Sequence, residues 1–150
     1  MVAGRHRPNQ ILESAHKGNI VGNHWVNLVL LLALVEFVAF GFLVGRARQK
    51  YGVKAPATSG HDMFDRYFRV HYNTLELLIL FIPALWVAAM YWNPAWIAGI
   101  GAVYLVGRII YLRGYVAEPN QRSIGFGLSM LPILVLMLAA LAGVVKALLT

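Results

Sequence analysis

Four apolar segments restrict this chain more than anything else in it: about Asn23 to Gly45, Thr74 to Trp92, Trp96 to Leu112 and Ile124 to Leu149, each long enough to cross a bilayer. Hydrocarbon offers no partner to backbone N–H and C=O groups, so runs of this kind form helices that satisfy themselves. The reading is an all-α integral membrane protein, with residues 23–150 forming one bundle of four transmembrane helices. Hydrophobic residues make up 59% of the chain and charged residues 13%, too apolar a balance for an ordinary soluble domain. Residues 1–22 break sharply from this composition: they hold Arg5, His6, Arg7, His16 and Lys17 and lack the apolar centre of a signal peptide. They read as a disordered or expression-derived leader outside the fold.

The connections set the path of the chain. A polar stretch after Arg46 ends in Ser59-Gly60-His61-Asp62, which fits a Ser-x-x-Asp capping box, with Asp62 and Asp65 suited to the positive end of a helix. The second helix is thus predicted from about Gly60 to Tyr91. At about 45 Å it exceeds a hydrocarbon core of about 30 Å, so its first turns protrude. Pro83 should kink it. Asn93-Pro94-Ala95 is short enough to make the second and third helices an antiparallel hairpin, with Trp92 and Trp96 at one interface. Glu118-Pro119-Asn120 ends the third helix, and the fourth is predicted to start at Arg122 or Ser123, with a bend at Pro132. The loops after the first and third helices, with their flanks, carry Arg46, Arg48, Lys50, Lys54, Arg66, Arg69, Arg108, Arg113 and Arg122, whereas the connection between the second and third carries no basic residue. The positive-inside rule then puts those two loops in the cytoplasm and both termini on the opposite side.

Several chemistries are excluded or disfavoured. There is no cysteine, which removes disulfides, thiolate metal sites and a cysteine nucleophile; thiol chemistry would need a thiol from outside. The net charge of +7 sits beside the membrane segments, where anionic headgroups or an anionic ligand attract it, and no soluble nucleic-acid-binding fold accompanies it. His71 has no companion that would complete a metal set, so no metal is expected. Gly125 and Gly127 lack the spacing of a phosphate loop and are expected to serve close helix packing.

Two polar constellations remain. Arg66, Arg69, Asn73 and Glu76 recur at helical spacing along one face of the second helix. Arg108, Tyr111 and Tyr115 do the same on the third, with Arg122 opening the fourth, and both sets lie at the same membrane side. Together they offer guanidinium groups for carboxylates, a carboxylate for an ammonium and hydroxyls for an anion, an inventory that suits a small zwitterion with several carboxylates. Taken one at a time, each arginine reads more readily as a headgroup ligand or a snorkelling side chain. Glu76, within a membrane segment, marks either an internal salt bridge or a ligand site. Glu36, in the middle of the first helix, is expected to pair within the bundle or to stay protonated there.

Phe68-Arg69-Val70-His71-Tyr72-Asn73-Thr74-Leu75-Glu76 resembles the arginine, asparagine and glutamate signature of the membrane-associated proteins in eicosanoid and glutathione metabolism, the MAPEG family. Arg108-Ile109-Ile110-Tyr111-Leu112-Arg113-Gly114-Tyr115, followed by Arg122, is similar to the third-helix and early fourth-helix pattern of its leukotriene-C and prostaglandin E synthases. The resemblance implies a homotrimer with glutathione as co-substrate at each subunit interface, open to the cytosol. It implies that Arg69, Asn73, Glu76, Arg108, Tyr111 and Tyr115 bind glutathione, with Arg48 and His71 coming from the neighbouring subunit. Arg122 falls where the family stabilises the glutathione thiolate, with Ser123 beside it, so Arg122 is the catalytic candidate. The implied activity is that of a bacterial-type microsomal glutathione transferase acting on hydrophobic electrophiles from the membrane lipid, with glutathione-dependent peroxidase action as a further expectation. The alternative is a non-catalytic member that binds and presents a lipid. Gln49, Leu77 and Phe126 depart from residues found in the eicosanoid synthases and argue against either eicosanoid specificity.

Overall fold

A computed structural model describes the backbone from Pro8 to Thr150 and the side chains from His24 onward. It contains α1 (Pro8–Lys50), α2 (Asp62–Tyr91), α3 (Pro94–Ala117) and α4 (Arg122–Leu149), with a 3-10 turn over Pro119–Gln121 leading into α4. α1 begins at Pro8 and not at the composition break near Asn23. The leader's side chains, and residues 1–7 altogether, lie outside the described residues. All four helices are long and apolar enough to cross a membrane, α1 doing so over His24–Lys50. This is an integral, multi-pass membrane bundle.

Local chemistry explains where the helices start. Gly60 adopts φ +145°, a conformation that side chains avoid, and this interrupts the expected capping box. The cap therefore moves from Ser59 to His61, whose Nδ1 accepts from the Met63 N–H at 3.2 Å, while an Asp65 carboxylate oxygen accepts from the Gly60 N–H at 3.1 Å. Asn93 caps α3 by accepting from the Ala95 N–H at 2.9 Å, with Pro94 in the first turn where its missing donor costs nothing. The Trp92 indole N–H donates to the Ala139 carbonyl at 2.8 Å, tying the α2–α3 hairpin to α4.

The core lies where α2, α3 and α4 meet α1. Phe81, Leu85, Tyr104, Ile133 and Leu136 are fully buried, and the Phe81 and Tyr104 rings stack with centroids 3.9 Å apart. α3 and α4 share the most extensive contact, which small residues permit. A Cβ on Gly107 would come within 2.7 Å of the Leu128 carbonyl carbon, and one on Gly125 would strike the backbone of Tyr111. Gly127 has nothing within 4 Å of the same position, so of the two glycines expected to serve packing only Gly125 does so within this chain. The outward faces of α1 (Leu28, Leu31, Val35, Val38, Phe42) and α4 (Leu131, Leu134, Leu138, Leu141) are apolar and exposed, a surface for lipid or for another subunit.

Arg66 fastens the two halves of the bundle at its polar end. Its guanidinium donates to the Val116 and Ala117 carbonyls, each at 3.0 Å, and pairs with Asp62 at 2.8 Å. A cation is well placed there, because the last carbonyls of α3 carry the negative end of its dipole. Arg66→Ala should therefore lower stability by about 1 kcal/mol, read as a lower unfolding midpoint in detergent, with Arg66→Lys recovering part of the loss.

Candidate functional site

The α1–α2 and α3–α4 connections lie at one end of the bundle, which brings the early turns of α2, the last turns of α3 and the start of α4 together. α2 presents Arg69 and Glu76 exposed and Asn73 half-buried on one face. The Asn73 amide N–H donates to Glu76 Oε2 at 2.8 Å, and the Tyr111 hydroxyl donates to Asn73 Oδ1 at 3.2 Å. Tyr111 and Tyr115 follow along α3 with ring centroids 5.5 Å apart, and the Arg122 guanidinium lies 5.6 Å from the Tyr115 centroid, within cation–π range. Glu76, Asn73, Tyr111, Tyr115 and Arg122 thus form one continuous polar line across three helices. Beside it opens a cleft of about 550 Å³ whose walls include Phe68, Arg69, Tyr72 and Tyr115. Arg66 also borders this cleft, yet its guanidinium is committed to the end of α3 and to Asp62.

Among the described residues, the charges of Arg69, Glu76 and Arg122 have no ion-pair partner. The one ion pair among the described residues joins Arg66 to Asp62, so the internal salt bridge open to Glu76 from the sequence is not formed. Glu76 keeps an exposed carboxylate for a cation, while Arg69 and Arg122 keep exposed guanidinium groups for anions.

The remaining expected residues stand elsewhere. His71 stacks on Phe37 of α1 with centroids 4.3 Å apart, which directs it to the α1–α2 side. Arg48 donates to the Val53 and Ala57 carbonyls at 3.3 and 2.9 Å and lies over the Phe64 ring. Neither touches the polar line. Ser123 is exposed beside Arg122, and its side chain makes no hydrogen bond among the described residues. Arg108 departs most from its expected place. It is fully buried, donating to Thr74 Oγ1 at 2.7 Å and to the Val70 carbonyl at 3.4 Å, with its guanidinium 4.2 Å from the Tyr111 centroid. It supports Tyr111 from behind and does not present its charge to the open face.

The model of the MAPEG family matches residues 26–142, a range that includes both polar motifs. The chain belongs to the MAPEG family. It is 44% identical over 120 residues to an uncharacterized protein of Synechocystis, covering 80% of this chain and 88% of the relative. It is 38% identical over 107 residues to human microsomal glutathione S-transferase 2, covering 67% of this chain and 73% of that one. Bovine leukotriene C4 synthase is 35% identical over 94 residues, 63% of each chain.

Within this MAPEG chain, two buried residues escaped the sequence reading. Thr74 lies on the inward stripe of α2 and relays between helices, donating to the Val70 carbonyl at 2.7 Å while accepting from Arg108. Tyr104 precedes Arg108 by one turn on α3 and is likewise fully buried. Both were visible in principle as polar side chains at the i, i+4 spacing of an otherwise apolar stripe.

Proposed function

We propose that this protein is a membrane-bound glutathione transferase that joins the glutathione thiolate to hydrophobic electrophiles drawn from the bilayer, with glutathione-dependent peroxidase action as a second activity of the same site. The observation that carries this reading is the polar line Glu76–Asn73–Tyr111–Tyr115–Arg122 on an open face of a MAPEG chain. Two of the chain's relatives bear the names glutathione S-transferase and leukotriene C4 synthase. Glu76 would hold the glutathione ammonium, Arg69 a carboxylate, and Asn73, Tyr111 and Tyr115 the peptide backbone. Arg122 would face the sulfur, with Ser123 beside it. A guanidinium in contact favours the thiolate over the thiol, and the thiolate is the nucleophile. Its sulfur forms a bond to the electrophilic carbon as the leaving group departs with its electron pair.

The working unit in this reading is a homotrimer with its polar end toward the cytosol. Arg48 and His71 point to the α1–α2 side of their own chain, so only a neighbouring subunit could bring such residues to the polar line. The exposed apolar faces of α1 and α4 are suited to such contacts and to lipid.

The direct test is anaerobic titration of the purified wild-type protein with glutathione, following thiolate ultraviolet absorbance, and then addition of a generic aryl halide. Thiolate formation and conjugate are the expected results. Absence of both would sink the transferase reading, and glutathione binding without conjugation would favour a lipid-presenting role. In the same assay Glu76→Gln should weaken glutathione binding by about 1 kcal/mol or more, the worth of a charge-assisted hydrogen bond. An unchanged dissociation constant would remove Glu76 from the site.

A further inference from the structure

Inside the bundle, away from the open face, both carboxylate oxygens of Glu36, the hydroxyl of Tyr104, and Nε and Nη1 of Arg108 are buried without a hydrogen-bond partner among the described residues. Counted from the membrane side where α1 and α3 both end, Glu36 and Tyr104 lie at nearly the same depth. Tyr104 and Arg108 are one turn apart on the same face of α3, both fully buried, and Ala33 and Phe37, which flank Glu36 on α1, belong to the same core cluster as Tyr104. The unmet groups are complementary. The free edge of the guanidinium and the hydroxyl supply N–H and O–H donors, and the carboxylate supplies acceptors.

Such a set is costly to keep dry. An ionised group buried without a partner costs several kcal/mol, and Glu36 is too far from Arg108 for a direct hydrogen bond. Water with two or more polar partners is the species that spans such a gap. The other edge of Arg108 is already engaged: Nη2 holds Thr74 and Val70 of α2, and the guanidinium backs the Tyr111 ring. From Tyr111 the chain of contacts runs through Asn73 to Glu76. The orientation of Arg108 thus links the interior of the bundle to its polar face.

We propose that Glu36, Tyr104 and Arg108 enclose a water-bridged, charge-balanced site within the bundle, and that Glu36 acts through Arg108 as a positioning residue for Tyr111. The internal site stands on its own. Its consequence for ligand affinity rests on the glutathione reading above.

The test is a double-mutant cycle of Glu36→Gln and Arg108→Met in the full chain, read first as unfolding midpoint without ligand. Each single change strands a buried charge and should lower the midpoint, while the double variant should lose clearly less than the two losses added. Additive losses would overturn the pairing. Tyr104→Phe, a milder change, should also lose less in the Glu36→Gln background than in the wild type; equal losses would remove Tyr104. A density map that resolves ordered solvent should place peaks between Glu36 and Arg108, and direct contact of the two side chains would overturn the water bridge.

Positioning is read from the fluorine resonance of 3-fluorotyrosine incorporated at position 111. It should shift in Glu36→Gln and return in Glu36→Asp, whereas an unmoved resonance would overturn the positioning role. Glutathione affinity should fall about fivefold in Glu36→Gln, and adding Glu36→Gln to Arg108→Met should lower it no further. If the wild type bound no glutathione, the transferase reading would fail, while the midpoints and the fluorine signal would still decide the internal site.

Discussion

Arg122→Ala is expected to remove nearly all glutathione thiolate while leaving the protein folded. Arg122 stands exposed in the first turn of α4, and its only described contact is the 5.6 Å approach to the Tyr115 ring, so the fold depends little on it. A free thiol with a pKa near 8.5 is only about 3% ionised at pH 7. One contacting guanidinium lowers such a pKa by roughly one to three units, enough to make the thiolate a large fraction. The unsatisfied N–H groups at the start of α4 add positive potential at the same place. The alanine variant should therefore lose about tenfold or more of the thiolate absorbance, and kcat/KM for an aryl halide should fall roughly 10²-fold or more. Arg122→Lys, which keeps the charge without the planar fork, should fall between the two. Thiolate absorbance unchanged in the alanine variant would move the activating role to another cation.

Gly125→Ala should be the most damaging small substitution in the bundle. The added methyl meets the backbone nitrogen and Cα of Tyr111, and backbone atoms in a helix cannot swing aside as a side chain does. α3 and α4 would have to separate, at a cost of about 1–3 kcal/mol, the range typical of overpacking. The displaced residue is Tyr111, so glutathione affinity should fall along with the unfolding midpoint. Gly127→Ala provides the contrast, since a Cβ there meets nothing within 4 Å. Its midpoint should stay within about 0.5 kcal/mol of wild type. Equal losses for the two variants would contradict the packing assigned to Gly125.

These outcomes divide along what sequence can carry. Four spans and their order were legible because hydrophobic length is a one-dimensional property, and the polar line was legible because Arg69, Asn73 and Glu76 share a helical face whatever surrounds the helix. The cap at His61 was missed because Ser59 matches the capping pattern, while the backbone conformation of Gly60 is invisible in a string of letters. Arg108 was placed on the open face because its spacing to Tyr111 and Tyr115 fits a stripe, but a side chain three residues before Tyr111 can turn inward, and Thr74 draws it there. Arg66 was grouped with its neighbours on α2 for the same reason, although the end of α3 claims it. Glu36 was expected to pair or to remain protonated, and no direct partner is present among the described residues. Spacing along one helix does not report which residue another helix supplies.

The carboxylate in α1 also bears on how the protein is made. Synthesis runs from the amino terminus, so Glu36 is made before the segment carrying Arg108. α1 can accept this because its span is otherwise strongly apolar, and one acidic residue costs a few kcal/mol on insertion scales against many favourable Leu, Val and Phe contributions. α3, with Arg108 and Arg113 in a less apolar span, is joined to α2 by a very short turn, so the two are suited to enter as one hairpin. If Glu36 and Arg108 balance each other, the nascent chain carries an unmatched charge until that hairpin arrives. The arrival of the third span then completes the interior of the first.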